Sequence, residues 1–215
     1  MNSPTKPEVV RHSETLRAPR SLLRARLRSE TAPLHHALER ELDLLAPDLS
    51  LERYRRVLRA FHGFHGPVEE QLARALPATP ELDFALPART ALLERDLLAL
   101  GASSADVAGL RRCADLPPLA RVEDIAGCLY VLEGACLGGQ VLARALHERL
   151  GLEPDSGTAF FVGEGAATGA RWSRVLDWLE GVATDGERAS AIVASASATF
   201  GALSRWCASC GAADA

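Results

Sequence analysis

Leu129-Tyr130-Val131-Leu132-Glu133-Gly134-Ala135-Cys136-Leu137-Gly138-Gly139-Gln140 lies inside an apolar stretch, residues 119–150, whose composition favours a helix. A glycine inside a helix costs about 0.8–1 kcal/mol relative to alanine, so three cost roughly 2.5–3 kcal/mol. That is a large share of a domain's net stability. Gly134 and Gly138 are four apart and share one helical face, with Gly139 about 100° further round. The predicted result is a strip of bare backbone that lets something flat approach closely and makes the helix easy to bend. Close packing of another helix against small residues would produce the same strip.

The segments on either side also read as helices. Leu23, Leu27, Leu34, Leu38, Leu42 and Leu45 recur at helical spacing from about Ser21 onward. Pro47 and Asp48 end that run. Further helices are expected over 51–76, interrupted at 61–67 by glycines and a proline, and over 86–100, 106–113, 119–150, 169–182 and 188–207. Residues 151–167 read as irregular. No segment alternates as a strand would, and the remaining linkers are short. We therefore expect an all-α, single-domain helical bundle over 21–212, preceded by a flexible tail at 1–20 that contains three prolines.

Composition narrows the function classes. The net charge of −4 gives no general attraction to nucleic acid. No apolar run reaches the roughly 18–20 residues expected of a membrane span. The N-terminal stretch lacks the apolar centre of a signal peptide. Five cysteines, an odd number, fit a reducing, cytoplasmic setting. Cys207-Ala-Ser-Cys210 is a single CxxC without a second pair, a poor zinc site. Glu-x-x-His, the di-iron signature of helical bundles, does not occur. The arginines of 20–28 could meet an anionic partner, although a solvated helix face is the default for such a run.

Thr31-Ala-Pro-Leu-His-His-Ala-Leu-Glu39 carries adjacent histidines. His35 lies roughly 80° from the centre of the leucine stripe, at its edge, whereas His36 points nearly the opposite way. An edge histidine can ligate iron in a cleft between helices through one imidazole nitrogen, with the other bonded to an acceptor. A polar residue at a core edge would occupy the same position. Arg28, seven residues earlier, shares this face if the helix continues through Pro33. A helix that starts at a Thr31 cap would break the relation.

Together these pieces resemble the heme oxygenase family, particularly bacterial members such as those that serve bacteriophytochromes. Thr31-x3-His35-x3-Glu39 resembles the family's proximal-ligand motif. Leu132-Glu-Gly-x3-Gly-Gly-Gln140 resembles its distal glycine motif, and Ala159-Phe-Phe161 a segment that follows it. The resemblance implies a kinked, glycine-rich distal helix and His35 as the proximal heme ligand. It places Gly134, Gly138 and Gly139 over the reacting face. Arg28 would contact the heme propionates, with Tyr130, Arg171 and Arg174 as further heme contacts.

The implied activity is oxidative cleavage of heme to biliverdin with release of carbon monoxide and ferrous iron. Heme would be both cofactor and substrate, O2 the oxidant, and an external electron donor such as ferredoxin or a reductase the partner. A bacteriophytochrome would be a possible acceptor of the product. A non-catalytic heme carrier or sensor on the same fold is the alternative. Ala135 departs from the family's usual acidic residue there, which leaves His65 as a candidate to assist proton delivery. Cys136 invites comparison with cysteine-nucleophile relatives of the fold, but reads more simply as a small buried residue.

Overall fold

The computed structural model describes residues 21–75 and 89–212. The tail expected at 1–20 and the start of the helix expected at 86 lie outside the described residues. Among the described residues eight α-helices follow in order: α1 Ser21–Leu42, α2 Leu51–Ala75, α3 Arg89–Ala99, α4 Ser104–Ala108, α5 Val122–Leu150, α6 Ala159–Val162, α7 Thr168–Val182 and α8 Gly186–Ser209. A 3-10 turn, Gly165–Ala167, links α6 to α7. No strand occurs among the described residues.

The glycine-rich segment is the spine of the fold. α5 packs on α8, α7 and α6, while α1 leans on α8 and α2 pairs with α3. The α5–α8 crossing is close because Gly127 has no side chain; a Cβ there would run into the backbone of Ile192 and Ala196. Ser195 seals the crossing by donating from Oγ to the Asp124 carbonyl at 2.7 Å. Asp124 also accepts from the Arg121 backbone N–H at 2.9 Å, which fixes the start of α5. Gly151, at φ +66°, ends it.

Both helices that contain proline run on. α1 continues through Pro33, which preserves the shared face of Arg28 and His35. α2 also continues through 61–67, contrary to the interruption expected there. Pro67 has no N–H to offer the carbonyl of Gly63, four residues back. The Cys113 N–H donates to that carbonyl instead, at 2.8 Å. Bare Gly63 also lets Arg111 and Trp206 close in on the helix. A bond from 50 residues away in sequence therefore replaces the missing one.

Other boundaries differ for local reasons. The short helix expected at 106–113 is instead Ser104–Ala108, because Ser103 and Asp106 form a reciprocal cap. The irregular stretch at 151–167 contains α6, whose first two N–H groups donate to the Asp96 carboxylate at 2.7 and 2.8 Å. α5 is also long and apolar enough to cross a membrane, although Glu133 interrupts its apolar run; half of its most apolar stretch is buried within the bundle. Leu34 and Leu45, both placed in the leucine stripe, are exposed.

Candidate functional site

α1 and α5 each pack on α8 but make little contact with each other. We take the space between them, over α8, as the candidate cleft. At one point the walls meet: Tyr130 of α5 lies beside Thr31 and Arg28 of α1. Burial raises the Tyr130 hydroxyl pKa, while Thr31 and the Arg28 guanidinium act against that rise. Its ring also stands 5.5 Å from that of Trp172.

Beyond this contact the two walls carry different chemistry. On α1, His35 Nδ1 lies 3.2 Å from Oε2 of Glu39, one turn on. The His35 ring meets Phe200 of α8 edge-on, with centroids 5.8 Å apart. These contacts hold the ring and leave Nε2 without a protein partner among the described residues. On α5, Ala135, Leu137, Gly138 and Val141 are exposed in the middle of an otherwise core helix. With Leu34 of α1 they are exposed apolar groups of the kind that a porphyrin's faces need. Side chains present therefore fit a heme: one imidazole with a free nitrogen, an apolar wall and an exposed cation at Arg28.

The three glycines divide into separate tasks. A Cβ on Gly138 would meet nothing within 4 Å, so its bare side is open. A Cβ on Gly134 would touch the Trp172 ring at 3.4 Å. Gly139, expected over the ligand, is buried, and a Cβ there would collide with the Phe161 carbonyl. Its missing side chain seats α6. Gln140 completes that seat by donating from Nε2 to the Val162 carbonyl at 3.1 Å.

Arg171, expected beside the propionates, is instead buried and committed to Glu133. Its Nε and Nη2 donate to the two carboxylate oxygens at 2.8 and 3.0 Å. Glu164 lies 3.5 Å from Nη1. Arg89 approaches the same Glu133 at 3.7 Å, again fully buried. Arg174 lies exposed on α7. The sequence reading missed this ionic cluster, although Glu133 stands within the opening motif. A charged residue in the apolar run of a core helix was the available signal, because such a charge is kept only with partners.

His65 is buried among Phe61, Phe64 and Phe160, with ring centroids 5.2–6.2 Å away. Burial, Arg89 and His62 push its pKa down to about 3, so the imidazole is neutral. Its Nδ1 is buried and has no hydrogen-bond partner. The Cys136 thiol, pushed up to about 11 mainly by burial, is protonated and a poor nucleophile. A separate cavity of about 470 Å³ lies between α2, α3 and α4, lined by Arg55, Arg59 and Leu97 among others, and includes none of the cleft residues.

The fold and the family match together define an all-helical, heme-degrading oxygenase. The chain belongs to the heme oxygenase family, whose model matches residues 21–209. Among solved structures it is similar to the heme oxygenase of Leptospira interrogans, at 20% identity and a TM-score of 0.70, covering 87% of this chain and 98% of that one. It is also similar to heme oxygenase-1 of the cyanobacterium Synechocystis in complex with heme, at 21% identity and a TM-score of 0.65, covering 87% of this chain and 91% of that one. No curated protein sequence matches the chain.

Proposed function

We propose that His35 is the proximal ligand of the heme that this oxygenase cleaves, and that the open face at Gly138 is where the reaction takes place. The observation that carries this reading is the pairing of His35 Nδ1 with Glu39, which leaves Nε2 for iron. Heme, when bound, supplies the iron that activates O2 and the ring that is opened to biliverdin, carbon monoxide and ferrous iron. Every other contribution belongs to the chain. Glu39 fixes the imidazole's orientation and raises its basicity as a ligand. Leu34, Leu137 and Val141 exclude water from the ring's faces. Arg28 would hold a propionate, with Tyr130 and Thr31 beside it.

The missing side chain at Gly138 leaves that side of α5 open, with room for a small molecule such as O2. Ala135 offers no proton there. His65 has a buried, unpartnered nitrogen suited to a bridging water, which supports a part for it in proton delivery. The glycines also let α5 flex to admit substrate and release product. Electrons come from an external donor such as ferredoxin or a reductase, in the cytoplasm, and a bacteriophytochrome is the proposed acceptor of biliverdin. Aerobic single turnover of the heme complex with reductant tests the reading. Loss of the Soret band with growth of a biliverdin spectrum is expected, whereas a stable oxygenated complex would show a heme carrier.

A further inference from the structure

We propose that His35, His36 and Glu39 form a binding site for a divalent transition-metal ion in the heme-free protein, and that ferrous iron set free by ring opening is its occupant. Only the occupant's identity and its competition with heme rest on the proximal assignment of His35.

Glu39 follows the two histidines by four and three residues, so both imidazoles lie on its side of α1. One donor atom from each of the three side chains lies within 4.8 Å of the other two. No other such group of His, Cys, Asp or Glu occurs among the described residues. Metal–ligand bonds of about 2.0–2.2 Å place neighbouring donors roughly 3–3.5 Å apart. The His35–Glu39 pair already has that spacing, at 3.2 Å. His36 is exposed, and its donor atom lies within 4.8 Å of the other two.

Two imidazoles and a carboxylate suit Zn(II), Co(II) or Fe(II) rather than Mg(II) or Ca(II), which prefer oxygen alone. Heme ligation gives His36 no task, while ion binding does. A neutral imidazole offers a single lone pair, so an ion on Nδ1 of His35, beside Glu39, leaves Nε2 protonated and unable to ligate heme iron, and ion and heme exclude each other. Iron that leaves the opened ring beside His35 finds two further ligands within reach of one side chain.

The test titrates the heme-free full chain, without oxygen, with Co(II) followed by its visible spectrum and with Fe(II) followed by calorimetry. One ion per chain is expected, released by added hemin in a one-for-one exchange. His36→Ala and Glu39→Ala should each weaken the ion roughly 10- to 100-fold, with circular dichroism confirming the helix, and His36→Ala should keep the wild-type heme spectrum. Unchanged Co(II) affinity in His36→Ala, or simultaneous binding of ion and heme, would overturn the proposal. Intact heme ligation in His35→Ala would instead overturn the proximal assignment, and the Co(II) titration of His36→Ala would still judge the ion site.

Discussion

Nδ1 of His35 and Oε2 of Glu39 are 3.2 Å apart on successive turns of α1, and that contact leaves Nε2 as the imidazole nitrogen without a partner among the described residues. His35→Ala is expected to abolish stable heme ligation, whereas His36→Ala should leave it near wild type. Heme titration of both variants followed at the Soret band checks this, and equal losses in the two would refute the face assignment. Glu39→Ala should retain ligation with weaker affinity, by roughly 10- to 100-fold, as expected when a ligand's orienting acceptor is removed.

The buried Glu133 carboxylate holds Arg171 in a two-point contact and stands near Arg89. Removing one partner of such a cluster leaves uncompensated charge in the core. Glu133→Ala should therefore destabilise the fold by about 3–5 kcal/mol. The double variant Glu133→Leu/Arg171→Met should cost less than Glu133→Ala, because Glu133→Ala takes the carboxylate from both Arg171 and Arg89, whereas the double variant takes it from Arg89 alone. Urea denaturation of the heme-free protein measures both, and a double variant worse than the single one would contradict the account.

His65 gives the fold a dependence on acid. Its folded pKa of about 3 lies below the ordinary value of 6.5. Between these values the unfolded chain binds the proton and the folded chain does not. Stability from this group is thus complete above about pH 6.5 and is lost as pH falls towards 3, by at most about 1.4 kcal/mol per pH unit. His65→Gln should flatten this part of the profile. Denaturation midpoints at pH 7, 6, 5 and 4 in both proteins provide the comparison, and parallel slopes would rule the effect out.

How much of this was legible in the sequence depends on the range of the interactions. Helical periodicity is local, so the all-α class and most of the helices could be read from the spacing of leucines. The continuity of α2 could not, because its rescue comes from Cys113, far along the chain, donating to Gly63. The face of His35 was legible for the same local reason, once α1 was known to pass through Pro33. The ionic cluster joins residues from α3, α5 and α7, and a single sequence does not show which charges meet. The glycines were visible as an anomaly, but their separate tasks were not: Gly139 packs against Phe161 and Gly138 faces open space.

That division makes the glycines separable by substitution. A Cβ at Gly139 collides with the Phe161 carbonyl, which belongs to α6 and is backbone that cannot rotate aside. Gly139→Ala should therefore cost about 1–3 kcal/mol and loosen α6 from α5. At Gly138 a Cβ meets nothing, so Gly138→Ala should instead gain up to about 0.8–1 kcal/mol from helix propensity. Gly138→Leu projects a full side chain into the cleft. It should keep the fold while blocking heme entry or O2 binding. Thermal denaturation ranks the three variants, and heme titration with single turnover reads the cleft. Wild-type heme affinity and turnover in Gly138→Leu would mean that the open face of α5 is not where the reaction occurs.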